Sequence, residues 1–195
     1  MLGEEALAKR SGTLPITVIR PGIVFGPHET NFAAMFQSIQ WTRLHAMMGF
    51  CSPRLSLIHV ADLVSLVLSA AERGHRLPPD RRAADGTGFY HACDDREFPT
   101  HAQLGRRIAR ALGTSALILP LPTEIAFPAA GVIEAYWNFR GQASIVSPDK
   151  VREAIATSWA ASAARARRHL GFAPGASLDT RLAETASWLK HAGCL

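Results

Sequence analysis

Apolar positions change their spacing several times along these 195 residues, and each change marks an element. From Leu2 to Arg10 the pattern predicts a helix, with Glu4 and Glu5 early and Lys9-Arg10 late to match the helix dipole, and with Gly12 as its stop. Nothing ahead of Glu4 offers an N-cap, so the chain is expected to begin inside an element. The β-branched run Ile16-Thr17-Val18-Ile19 suits a buried strand and leads into Arg20-Pro21-Gly22-Ile23-Val24-Phe25-Gly26-Pro27-His28, where two proline turns bracket apolar residues. Phe32, Met35, Phe36 and Ile39 predict a helix from about Asn31 to Leu44. Leu55 to Ile58 is a second strand. Asp62 opens the next helix, which runs to Glu72 and is apolar on most sides (Leu63, Val64, Leu66, Val67, Leu68), the pattern of a helix covered on both faces.

Arg73 to Gly88 is rich in Arg, Pro, Asp and Gly and reads as an exposed loop before a strand at Phe89 to Cys93. Thr100-His101-Ala102-Gln103 is a capping box opening a helix with Leu104, Ile108, Ala111 and Leu112 inward, stopped by Gly113. Leu117-Ile118-Leu119 is extended and closed by prolines. Helices are predicted at Glu124 to Arg140 (kinked at Pro128), after the N-cap Ser147-Pro148, and at Ala161 to Leu170 and Leu178 to His191. Strand and helix alternate early, whereas the last third is helical. The expected fold class is α/β: the C-terminal part of a parallel sheet with a smaller, mostly helical subdomain.

Composition narrows the class. With 48 % apolar and 19 % charged residues the chain is not a disordered one. Charges, Pro or Gly interrupt every apolar run short of the roughly 18 residues of a bilayer span, and the first five residues carry acids where a signal peptide is basic. Cys51, Cys93 and Cys194 are scattered, without the spacing of a disulfide framework or a zinc site, so a reducing, cytoplasmic setting is expected. The net charge of +5 rests on 18 Arg and 3 Lys. The arginine groups (Arg81-Arg82, Arg106-Arg107-Arg110, Arg165-Arg167-Arg168) have no interleaved aromatics to stack bases, so they read as solvated helix faces before a nucleic-acid interface.

A search for chemistry returns no complete set. Gly86-Thr87-Gly88 fails as a dinucleotide loop because the third glycine falls on His91 and no strand precedes it, and there is no Walker A, GxSxG or HExxH sequence. His28-Glu29 and His59 with Asp62 lack the pattern of a metal site, and Asp62 is better read as a carboxylate at a helix start. A tyrosine followed four residues on by lysine is a proton-transfer pair, but Tyr90 is followed by Asp94 and Tyr136 by Arg140. His91, His101 and Cys93 are expected to be structural.

Four segments in order carry a family resemblance: Arg20-Pro21-Gly22-Ile23-Val24-Phe25-Gly26-Pro27; Leu57-Ile58-His59-Val60-Ala61-Asp62-Leu63; Phe89-Tyr90-His91-Ala92 with the helix after Thr100; and Leu170-Gly171-Phe172-Ala173-Pro174 through Trp188. Together they resemble the extended short-chain dehydrogenases/reductases, the NAD-dependent epimerase/dehydratase group. Leu2-Gly3-Glu4-Glu5-Ala6-Leu7 is similar to the segment that follows the family's Tyr-xxx-Lys pair, so the resemblance is to the C-terminal half only, and the fold it implies is the C-terminal part of a Rossmann-like sheet. It makes the chain a single partial domain, with 1–30 and 55–95 as sheet remnant and 31–54 and 96–195 mainly a substrate subdomain.

The resemblance further implies NAD or NADP as cofactor, with the main binding loop lying outside these residues. Pro21, Gly22 and Val24 would pack on or hydrogen-bond to its nicotinamide end, and Ile23, Phe25 and His28 would meet substrate. No catalytic residue and no metal ligand is expected, and the chain alone is expected to be inactive. Ile23 and Leu55 stand where nucleotide-sugar members carry Asn and Arg, and Arg54, a strand neighbour of Leu55, points the other way. That favours a weakly polar alcohol or ketone, as in steroid-dehydrogenase-like and dihydroflavonol-reductase-like members, with Phe25, Phe32, Met35, Phe36, Trp41, Met47, Met48 and Phe50 shared between core and pocket. The competing readings are a nucleotide-sugar epimerase/dehydratase fragment and a non-catalytic binding or regulatory module, RNA-associated in one form. The partners implied are a small-molecule substrate and, as an alternative, a separately encoded N-terminal half; neither a membrane nor a nucleic acid is expected.

Overall fold

The computed structural model describes residues 4, 7, 9–50, 53–78, 86–140 and 158–195. The first half contains β1 (Val18–Pro21), β2 (Ile23–Phe25), α1 (Thr30–Thr42), β3 (Leu44–Met48), β4 (Leu57–His59) and α2 (Val60–Arg73). The second contains β5 (Phe89–Ala92), α3 (His101–Ala111), β6 (Leu117–Leu121), α4 (Thr123–Phe139), α5 (Ala164–Leu170) and α6 (Leu178–His191). Residues 4, 7, 9 and 10 are helical too. The expected N-cap at Ser147-Pro148 and the pair Arg81-Arg82 lie outside the described residues. Among the described residues three strand pairs form, each parallel: β1 with β5, β2 with β4 and β3 with β6. This is an α/β fold, and its residues divide into two compact units.

The first unit spans Met1–Gly26, Ser56–Glu97 and Ala161–Leu178. Its core gathers Ile58, Leu66, Tyr90, Ala92, Cys93, Ala166, Leu170 and Phe172, all buried. Each fully buried large side chain here, such as Leu66, stabilises the unit by about 1.5–3 kcal/mol. Two carboxylates tie residues 161–178 to this unit. Asp95 accepts the Ala163 N–H (2.8 Å) and the Ser162 hydroxyl (3.1 Å) and pairs with Arg167. The Asp62 Oδ1 accepts the Gly175 N–H at 2.9 Å.

The helix α2 corrects one expectation. Asp62, Leu66 and Ala70 are buried, but Val64, Val67 and Leu68 are 51 %, 42 % and 60 % exposed, so it is covered on one face and not two. Its N-cap is His59, whose Nδ1 accepts the Ala61 N–H (3.3 Å), and Asp62 stands in the first turn as the dipole argument requires.

The second unit spans Pro27–Leu55, Phe98–Ala160 and Asp179–Leu195. The helix α1 buries Phe32, Phe36 and Ile39, and α3 buries Leu104, Ile108 and Ala109. The expected capping box is complete: the Thr100 hydroxyl accepts the Gln103 N–H, and the Gln103 side chain accepts the Thr100 N–H. Strand β3 is a further correction at Leu44, which the helical spacing assigns to the end of the preceding helix and which instead opens a strand. Arg43 takes a left-handed φ of 60° and ends α1 without a glycine. Leu44 then pairs with Leu117 and Ala46 with Leu119, leaving Leu44, Leu117 and Leu119 exposed while His45 and Met47 are buried. This unit therefore carries a parallel strand pair of its own.

Candidate functional site: the bend between β1 and β2

The sequence placed its candidates on the Pro-Gly bend, and the structure shows what the bend does. At Gly22 the chain leaves one parallel pair for another. The Gly22 N–H donates to the Ala92 carbonyl (2.9 Å), continuing the β1–β5 ladder, and the Ile23 N–H donates to the Ser56 carbonyl (2.8 Å), starting the β2–β4 ladder. A Cβ at residue 22 would lie 2.6 Å from the Ser56 oxygen, so the close approach that demands glycine is made by the protein's own backbone. Ser56 is buried, and its Oγ accepts the Ala161 N–H at 2.7 Å. Sequence reasoning missed Ser56, because no local pattern ties residue 56 to residues 22 and 161.

The candidates separate by exposure. Pro21 is exposed and Ile23 is 38 % exposed, whereas Gly22 and Val24 are half-buried. Phe25 is 1 % exposed, with its ring edge-on to His59 at 5.3 Å, and acts as a packing residue of the first unit. The bend ends at Gly26, whose φ of +133° and contact with Val60 (2.8 Å from its would-be Cβ) both call for glycine. His28 belongs to the second unit, where it is exposed, has a φ of 68° and packs edge-on to Trp188 at 4.7 Å.

Ahead of the bend, Arg20 donates from Nε and Nη2 to the Glu4 carboxylate (2.8 and 2.7 Å), and its guanidinium lies 4.6 Å over the Phe89 ring. The bond to Glu4 raises the Arg20 pKa, but a pair this exposed contributes at most about 1 kcal/mol. On β5, burial and then the charges of Arg20 and Arg165 hold the His91 imidazole below its ordinary range.

The chemistry available at the bend is that of a binding surface. From Pro21 to Gly26 no side chain titrates or attacks, Pro21 has no N–H, and the N–H groups of Gly22 and Ile23 are both occupied within the sheet. What it presents is apolar: Pro21 and Ile23. A nicotinamide-type cofactor fits such a surface by packing, without donors from residues 22 and 23. The other candidates are held elsewhere. Tyr90 is fully buried, and its hydroxyl accepts the His75 N–H (3.0 Å). The Cys93 thiol donates to the Ala161 carbonyl, and burial pushes its pKa up to about 11. In the second unit Leu55 is 1 % exposed while Arg54 is exposed, so the two do point to opposite sides.

No family model matches the chain. Over 194 residues, 99 % of its length, it is 23 % identical to a ceramide reductase of Caulobacter vibrioides, of which it spans 56 %. Among solved structures it resembles a nucleoside-diphosphate-sugar epimerase from Pseudomonas aeruginosa, with a TM-score of 0.68, 21 % identity and coverage of 100 % of this chain and 54 % of that one. It also resembles a UDP-glucuronic acid 4-epimerase from Bacillus cereus, solved with NAD and a fluorinated UDP-sugar, with a TM-score of 0.65, 14 % identity and coverage of 97 % and 50 %. Solved neighbours include NAD and NADPH complexes. The chain thus spans about half the length of the relatives it matches. Among the described residues no helix is long and apolar enough to cross a membrane. What these likenesses share is a fold: this chain has the α/β, Rossmann-like fold of the NAD-dependent epimerase/dehydratase and extended short-chain dehydrogenase/reductase enzymes, over about half of their length.

Proposed function

We propose that the chain is the substrate-side half of an NAD(P)-dependent oxidoreductase of the extended short-chain type, acting on a weakly polar alcohol or ketone. The observation that carries this reading is Ile23, an exposed aliphatic side chain on the bend where nucleotide-sugar enzymes of this kind carry Asn. Isoleucine forms no hydrogen bond to a sugar nucleotide, and covering its surface favours an apolar ligand. Buried Leu55, in place of a diphosphate-binding Arg, supports the same choice. So does the likeness to a ceramide reductase over 99 % of the chain. Pro21 and Ile23 would pack the nicotinamide end of NAD or NADP and the adjoining substrate carbon, with Val24 behind them. Hydride transfer would be supplied by the cofactor, and proton transfer by a tyrosine outside these residues.

Sugar-nucleotide epimerisation is the second reading, favoured by the epimerases among the structural neighbours. The test expresses the chain together with the reading frame upstream of Met1 and follows NADH and NADPH oxidation with a steroid ketone, a long-chain lipid ketone and a UDP-sugar. Reduction of a ketone, abolished by Ile23→Asn with unchanged thermal stability, is the expected result. Turnover of the UDP-sugar alone would overturn it. The 195 residues by themselves are expected to show no turnover, and robust dehydrogenase activity from them would contradict the half-enzyme reading.

A further inference from the structure

We propose that His45 is an acid-sensitive latch of the second unit, holding β3 against α3 while its imidazole is neutral and loosening that seam when a proton arrives. His45 sits on β3 with 4 % exposure, and its ring lies against the backbone of α3. A Cβ at Gly105 would come within 2.3 Å of the His45 Cδ2 and 2.7 Å of its Cγ, so glycine at 105 makes room for the imidazole. The Nε2 lies 3.2 Å from the His101 carbonyl, and in the neutral ring it donates there.

Among the described residues α1, α3 and β6 pack against β3, and none of these elements carries an acid. The helix α1 (TNFAAMFQSIQWT) and strand β6 (LILPL) have no charged residue, and α3 (HAQLGRRIARA) brings His101, Arg106, Arg107 and Arg110. The imidazole also meets α3 in its first turn, the positive end of the helix dipole. Protonation would thus create a buried cation beside a second histidine and a helix whose charged side chains are all basic, Arg107 being paired with Asp179 at 3.6 Å, with no acid on α1, α3 or β6 themselves. Burial lowers the His45 pKa, partly offset by its bond to His101, and burial with the neighbouring His45 lowers that of His101.

The sign follows from those directions. The unfolded chain takes up protons near 6.5, before the folded one does. The stability of the second unit is therefore complete above that pH and is lost as pH falls toward the lower folded values.

Two measurements on the full chain test the latch. Amide-exchange protection factors of β3 and α3, compared at about pH 7.5 and about pH 5.5, should fall several-fold in the wild type and change little in His45→Gln, which keeps a donor but does not titrate. His101→Gln should retain part of the fall. Should His45→Gln not fold, the imidazole resonance of His45 in the wild type answers directly, and its midpoint should lie below 6.5. A midpoint at or above that value, or a His45→Gln variant with the wild-type pH dependence, overturns the proposal.

Discussion

Alanine at position 22 separates a structural glycine from a ligand-binding one. The glycine has no left-handed backbone angle, so the whole penalty is steric. The added Cβ would lie 2.6 Å from the Ser56 oxygen, 3.0 Å from its carbonyl carbon and 3.1 Å from its Cβ. Backbone cannot swing aside as a flexible side chain does, so the strand crossing must open. Opening it strains the bond from the Ile23 N–H to Ser56 (2.8 Å) and then the bond from the Ala161 N–H to the Ser56 hydroxyl (2.7 Å). Overpacking of this kind costs about 1–3 kcal/mol, and one lost hydrogen bond adds about 1. The sum, about 2–4 kcal/mol, lowers the folded-to-unfolded ratio by about 30- to 900-fold.

The four tryptophans (41, 137, 159 and 188) all fall in the second unit, so the direct probe of the first is urea-dependent amide exchange of β1, β4 and β5. Gly22→Ala should move the midpoint of those strands well below the wild-type value with no cofactor present. Gly49→Ala, where φ is +70° and the nearest atom lies 3.9 Å from the would-be Cβ, should cost only the backbone term of about 1–2 kcal/mol. An unchanged midpoint in Gly22→Ala, together with lost cofactor binding, would refute the steric argument and return Gly22 to the ligand.

Two further outcomes follow from buried groups of the first unit. Asp62→Asn weakens the acceptor for the Gly175 N–H and removes a negative charge from the first turn of α2, so urea denaturation should show a loss of about 1–2 kcal/mol; an unshifted midpoint would contradict that role. Cys93, at 1 % exposure and with its thiol pushed up to about 11, is only about one part in a thousand thiolate near pH 8. Iodoacetamide on the native chain should therefore modify half-buried Cys194 ahead of Cys93 by mass spectrometry, and equal labelling of the two would show that the core around Cys93 opens readily.

Local chemistry made much of this molecule legible in advance. Thr100 and Gln103 announce the start of α3, because both halves of a capping box lie within one turn. Gly113 announces the end of α3, where the backbone turns left-handed with a φ of 73°. Among the described residues the helices and the β–α alternation follow from the spacing of apolar residues together with local caps and stops. Strand β3 was not legible: it has no β-branched residue, and the helix before it ends on an arginine. It is a strand because Leu117–Leu121 pairs with it from more than 70 residues away.

The same division runs through the candidate site. The amino acids from Arg20 to Pro27 by themselves determined that the chain breaks there between apolar stretches, since proline and glycine punctuate locally. Only tertiary structure decided that Ser56 fills the space beside Gly22, that Phe25 turns inward onto His59 while Ile23 stays exposed, and that one apolar face of α2 is left uncovered. Each of those outcomes depends on which distant strand or helix arrives at a given side, and spacing along a chain carries no record of that.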